Sequence, residues 1–119
     1  MRRRFEYCAR SGVTRVNFLK VDVEGAEFEV VRGFTKMFES GGIDAVQFEY
    51  GPLTLAGRRC LQDYYTFFSD VGMRVGKIYP AYVKLFDRYY PGLDDFRWAN
   101  FAAVRPSVVE DLPGLFATV

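Results

Sequence analysis

The stretch VNFLKVDVEGAEFEVVRGFTKMFESGGIDAVQFEYG, Val16 to Gly51, decides the fold. Its first part, Val16 to Val21, is mostly apolar with β-branched ends and stops at the acidic cluster Asp22 to Glu27, which predicts a buried strand. From Ala26 to Phe38 the apolar positions Ala26, Val30, Val31, Phe34, Met37 and Phe38 recur at three- and four-residue spacing. Glu27, Glu29, Arg32, Lys36 and Glu39 take the opposite face, so the spacing predicts one amphipathic helix. Ser40-Gly41-Gly42 ends it, because glycine takes a left-handed cap without steric cost, and Asp44 to Tyr50 reads as a second strand. Strand, helix and strand within about 35 residues form a βαβ unit. Such crossovers are right-handed and make the two strands parallel.

Outward from this unit the pattern continues. Arg2 to Arg10 carries Phe5, Cys8 and Ala9 at helical spacing and ends at Ser11-Gly12, which predicts a short helix. Gly51-Pro52 breaks the second strand, a loop runs to Gly57, and Cys60, Leu61, Tyr64, Tyr65, Phe68 and Val71 then repeat with helical period up to Gly72. Tyr64, Tyr65, Phe67 and Phe68 are accordingly core material. Met73 to Tyr79 reads as a strand ended by Pro80, Ala81 to Phe96 as a long irregular stretch, and Trp98 to Val104 as a strand forming an antiparallel edge. The aromatic residues flanking the long stretch (Tyr79, Tyr82, Tyr89, Tyr90) either cap the core or close over a ligand. The order is that of half an α/β domain, since open doubly wound sheets carry more strands.

Composition narrows the chemistry. Half of the 119 residues are hydrophobic, with 12 Phe, 8 Tyr and 1 Trp, enough for a packed core. Sixteen Lys plus Arg face 15 Asp plus Glu, a net +1, and only Arg2 to Arg4 and Arg58-Arg59 adjoin, so there is no electrostatic footprint for nucleic acid. No apolar run has the roughly 20 residues that span a bilayer, and a cytoplasmic protein without membrane or nucleic-acid partners is expected. Cys8 and Cys60 lack metal or redox spacing and read as reduced thiols. There is no histidine, so proton transfer by this chain falls to Asp, Glu, Tyr or Lys.

Ligands of open α/β sheets bind at the carboxyl ends of the parallel strands. Two acidic segments lie there: Asp22-Val23-Glu24-Gly25-Ala26-Glu27 and Gln47-Phe48-Glu49-Tyr50-Gly51. A carboxylate at that rim can take a proton from a hydroxyl, orient an amine or bind a divalent cation. The same residues have an ordinary structural explanation: Asp22 as a helix cap, Glu24 and Glu27 as partners of the helix dipole, Gly25 as a close-packed turn. Glu49 is harder to explain this way, because a carboxylate on a strand covered on both faces needs a partner or a cavity. Arg58-Arg59 at a helix start is met by an acidic neighbour, an anionic ligand or solvent.

The run Asn17 to Glu27, followed by Val30-Val31-Arg32-Gly33, resembles the strand-four signature of FkbM-family S-adenosylmethionine-dependent methyltransferases. Gln47 to Gly51 resembles that family's fifth strand, Leu61 to Gly72 its next helix, Gly76 to Pro80 its strand six, Trp98 to Val104 its last strand and Tyr7 to Val13 the segment upstream. The resemblance implies a Rossmann-like class I methyltransferase sheet, present as its carboxyl-terminal part: parallel strands with a C-terminal antiparallel hairpin, the N-terminal half absent, residues 1–106 carrying the domain portion and 107–119 a partly ordered tail. It implies S-adenosylmethionine as cofactor, yet no Gly-x-Gly turn between a strand and a helix occurs in this chain. By position it implies Asp22 and Glu49 as catalytic groups, Asp22, Glu24 and Gly25 on the cofactor side, and Glu27, Tyr50 and Gly51 toward the acceptor, a hydroxyl of a small metabolite or sugar. No metal ligand is assigned. Two alternatives are kept: a non-catalytic module that pairs through an exposed sheet edge, as in a homodimer, and a metal-dependent transferase using Asp22 and Glu24.

Overall fold

The computed structural model describes residues 15–22 and 25–118. The expected Arg2 to Arg10 helix and residues Val23 and Glu24 lie outside them. Along the chain run β1 (Val16–Val21), α1 (Glu27–Arg32), α2 (Thr35–Glu39), β2 (Ile43–Tyr50), α3 (Pro52–Ala56), α4 (Leu61–Asp70), β3 (Arg74–Ile78), β4 (Val83–Leu85), a 3-10 turn (Pro91–Leu93), β5 (Ala99–Val104), α5 (Pro106–Asp111) and β6 (Phe116–Thr118). They build an α/β fold around one mixed six-stranded sheet of order β1-β2-β5-β3-β4-β6.

The βαβ reading holds: β1 and β2 are parallel, with Val21 beside Phe48. The predicted helix is present as two pieces, because Phe34 (φ −103°, ψ 15°) leaves helical geometry. Its apolar stripe is nevertheless buried throughout, from Phe28 to Phe38. Periodicity reports the buried face, and a one-residue departure between two turns leaves that face unchanged.

Strand β5 differs from expectation in position. It lies in the middle of the sheet, antiparallel to both β2 and β3, and not at an edge. The reason is in its side chains: Phe101, Ala102, Ala103 and Val104 are all at most 7 % exposed, so the strand is covered on both faces. The three-residue strands β4 and β6 and the single-turn helix α3 lie in what the sequence shows as loop, irregular stretch and tail, since elements this short show no period.

One face of the sheet packs against α1, α2 and α4. Phe48 stacks on Tyr64 at 4.1 Å between ring centroids, and Phe38 meets Phe68 edge-on at 5.5 Å. The other face is covered only in part. There Val108 and Val109 of α5 pack with Val83, Leu85, Ala102, Val104 and Phe116. That cover does not extend over β1, which corrects the expectation of a buried strand: Asn17, Phe18 and Lys20 are exposed, Phe18 by 56 %. Strand β1 is terminal in the sheet and has β2 as its one neighbour among the described residues.

Candidate functional site: an acidic rim at the ends of β1 and β2

Parallel pairing of β1 with β2 carries the chain to one rim twice. Val21 stands beside Phe48, so Asp22 follows at the level of Glu49. Across the next ladder Glu49 faces Asn100 of β5. Side chains alternate along a strand, so Gln47 and Glu49 share one face while Phe48 and Tyr50 point into the aromatic core on the other. Glu49 is half-buried on the face left open by the helices, which replaces the expectation of a strand covered on both faces.

Glu27, the first residue of α1, is the buried member of the rim at 6 % exposure. Burial raises its carboxyl above the ordinary glutamate range. Backbone hydrogen bonds from its own amide and that of Gly25 pull the other way, and the negative charges of Glu49 and Asp22 push it further up. Glu27 therefore holds a proton more readily than a solvated glutamate. Asp22 is exposed, and no side-chain hydrogen bond caps α1, whose N-cap is Ala26. The helix-cap explanation of Asp22 is thus not what the geometry contains.

Two glycines make the rim possible. Gly25 has φ +77°, a left-handed turn that L side chains rarely adopt. A Cβ on Gly57 would stand 2.2 Å from the carbonyl oxygen of Gly25, so any side chain there would force backbone apart. Through this contact the turn after α3 presses directly on the turn at Gly25, just ahead of α1. Arg59 strengthens the same junction: it donates to Glu29 at 2.6 Å and lies 4.5 Å from the Phe28 ring centroid. Of the alternatives for Arg58-Arg59, Arg59 meets an acidic neighbour, Glu29, while Arg58 is exposed to solvent with φ 60°.

The other site candidates separate. Gly51 is buried at the rim; its amide donates to the Thr54 hydroxyl at 3.0 Å. Tyr50 points into the core, 1 % exposed, donating to Asp94 at 2.8 Å and accepting from the Phe96 amide at 3.0 Å. Asp94 also accepts from the Leu61 amide at 2.6 Å and from the Tyr89 hydroxyl. This ties the segment after β4 to the start of α4 and to the end of β2. The sequence shows Asp94 only in an irregular stretch, since nothing local marks an aspartate whose donors include the distant Tyr50 and Leu61. Asn100 did carry a signal, as the one carboxamide in the apolar run Trp98 to Val104.

Hollows of about 320 Å³ beside Tyr65 and Asp87, and of about 310 Å³ beside Phe86 and Arg88, lie along the segment after β4 and not at the acidic rim. Among the described residues no group of three or more His, Cys, Asp or Glu side chains is placed to hold a metal ion. Cys60 is a free thiol whose burial pushes its pKa up.

The family model described as the methyltransferase FkbM domain matches residues 4–78. The chain belongs to the FkbM methyltransferase family. No curated protein and no solved structure matches it. The FkbM match runs from ahead of β1 to the last residue of β3 and includes Asp22, Glu27 and Glu49; it ends before Trp98 and Asn100. Membership supports a methyltransferase-type function in general.

Proposed function

We propose that this chain is the carboxyl-terminal portion of a Rossmann-like class I methyltransferase domain, residues 1–106 with a tail at 107–119. The complete domain methylates a hydroxyl of a small metabolite or sugar. The observation that carries the reading is the convergence of Asp22, Glu27 and Glu49 at the carboxyl ends of two parallel strands in a chain of this family. The strand order β1-β2-β5-β3, with β5 reversed between its neighbours, supports it.

S-adenosylmethionine, when bound, supplies an activated methyl group on a sulfonium cation. The rim fits that charge, and Asp22 with the turn through Gly25 is the part of this chain that would face it. The chain has no glycine-rich turn of its own for the nucleoside, so that contact belongs to the rest of the domain. On the acceptor side Asp22 accepts the hydrogen bond of the substrate hydroxyl and takes its proton. Glu49 and Asn100 hold the acceptor in line, and Glu27 lines the rim from within. No described helix is long and apolar enough to cross a membrane, and a cytoplasmic location is part of this proposal.

Calorimetric titration of S-adenosylmethionine tests the reading, first with this chain alone and then with protein translated from the in-frame coding sequence upstream of Met1. The expected result is a strand, glycine-rich turn and helix encoded upstream, and cofactor binding at least about a hundredfold tighter once they are joined, which is about 2.7 kcal/mol. No cofactor binding by either form would overturn it.

A second reading rests on β1. Its outer edge has no partner among the described residues, and it carries an exposed phenylalanine and no proline, with Lys20 as the strand's one charge against edge pairing. We propose that a second copy of the chain pairs there. Sedimentation is expected to show a dimer that Phe18→Lys dissociates; a wild-type chain that stays monomeric at high concentration removes this reading.

A further inference from the structure

Against Gly51 at the end of β2 lies the chain's single tryptophan. Trp98 is 58 % exposed, an arrangement that leaves a large apolar ring in water at the edge of a charged rim. It is held against the end of β2. A Cβ on Gly51 would lie 2.9 Å from Cε3 and 3.0 Å from Cδ2 of the indole, so glycine at 51 is what lets the ring rest on the strand end. The ladder defines its surroundings. Ala99 pairs with Tyr50 and Asn100 with Glu49, so alternation puts Trp98 on the same face as Asn100, with Glu49 across from it. One row further along that face stand Lys20 and Gln47.

We propose that Trp98 is the stacking surface of the acceptor site and that the acceptor is an uncharged ring bearing hydroxyl groups. This rests on the methyltransferase reading and narrows its substrate. The flat indole offers a partner for the apolar face of a ring. The carboxylate of Glu49 and the carboxamide of Asn100 offer acceptors and donors for hydroxyls at the ring's edge. Charge sets the remaining limit: the carboxylates Asp22 and Glu49 stand against the single Lys20, which disfavours phosphorylated or carboxylated acceptors. An aromatic ring without hydroxyls would stack but leave Glu49 and Asn100 unpaired. Trp98 lies beyond residues 4–78, the part that the family model matches.

Because there is no second tryptophan, indole fluorescence reports this position alone. Methyl β-glucopyranoside is the probe and glucose 6-phosphate the charged counter-probe. The pyranoside is expected to change the emission saturably, and the phosphate ester to bind at least about tenfold more weakly. By calorimetry Trp98→Phe, which keeps a flat ring, stays within about threefold of wild type, whereas Trp98→Leu loses about tenfold. Gly51→Ala, which drives a methyl group into the indole, weakens binding and shifts the emission of the free protein. An unresponsive indole, or equal affinity in Trp98→Leu, overturns the proposal. Cofactor titration of the same samples separates the two ideas. Cofactor binding without a pyranoside response removes this inference alone, and a Trp98-dependent pyranoside response without cofactor binding in the joined protein removes the methyltransferase reading.

Discussion

Asp22→Asn is expected to lower methyl transfer by the complete domain about a hundredfold or more, the range in which a positioned proton acceptor contributes. The substitution keeps the shape and hydrogen-bonding capacity of the side chain and removes only its ability to take a proton. Asp22 is exposed, and its side chain makes no hydrogen bond among the described residues, so the urea midpoint should move by less than about 0.5 kcal/mol equivalent. Loss of rate without loss of stability is therefore the signature. Glu49→Gln should act more mildly and mainly on the KM for the acceptor, because Glu49 sits across from Asn100 and orients the acceptor in this reading. Asp22→Asn at full rate, measured as transfer of labelled methyl groups, would sink the assigned role.

Asp94→Ala is expected to cost about 3 kcal/mol of folding stability. Its carboxylate accepts from the Tyr50 hydroxyl, the Leu61 amide and the Tyr89 hydroxyl. Hydrogen bonds to a charged group contribute roughly 1.5–3 kcal/mol each, but they are not additive here, because water can replace the partner of the part-exposed Tyr89. Tyr50 is 1 % exposed and has no such replacement, and the first amide of α4 loses its cap. Asp94→Asn, which still offers one acceptor oxygen, should cost about 1 kcal/mol. Urea unfolding of both variants checks the order; a loss below about 1 kcal/mol for the alanine variant would show that Asp94 does not hold the segment.

The same cluster sets a response to alkali. The hydrogen bond to Asp94, with some burial and the aspartate charge, pushes Tyr89 up to about 12 from an ordinary 10.0. Tyr50 is raised by burial first and by Asp94 second. A tyrosine whose folded pKa is raised resists ionisation that the unfolded chain accepts. Its contribution is fully present below pH 10 and is lost as pH rises through the folded value. Phenolate absorbance of Asp94→Asn should show Tyr89 titrating closer to 10.

Much of the fold was legible because it rests on local pattern. The apolar stripe from Ala26 to Phe38 and the glycine stops at Gly41-Gly42 and Gly72 report which side chains meet the core and where a helix ends, and those signals need no partner to be seen. Three things were not legible. The place of β5 depends on which strands pair with it, and an all-apolar run such as Phe101 to Val104 states that both faces are covered without stating by what. The openness of β1 depends on cover supplied by other segments. Asp94 and Trp98 act through residues roughly 30 to 47 positions away in sequence, a separation with no local period to reveal it.

The sequence by itself determined that this is an α/β chain with a parallel βαβ unit, that its acidic residues fall at the carboxyl ends of those strands, and that it resembles FkbM methyltransferases. These follow from periodicity, cap residues and a motif that spans neighbouring positions. Only the tertiary structure decided that Glu27 is the buried carboxylate and Asp22 the exposed one, that Tyr50 turns inward while Glu49 turns to the open face, and that Gly51 seats an exposed indole beside them. Each of these depends on the register between strands and on which sheet face the helices cover, and register is a relation between distant segments that no single stretch of sequence contains.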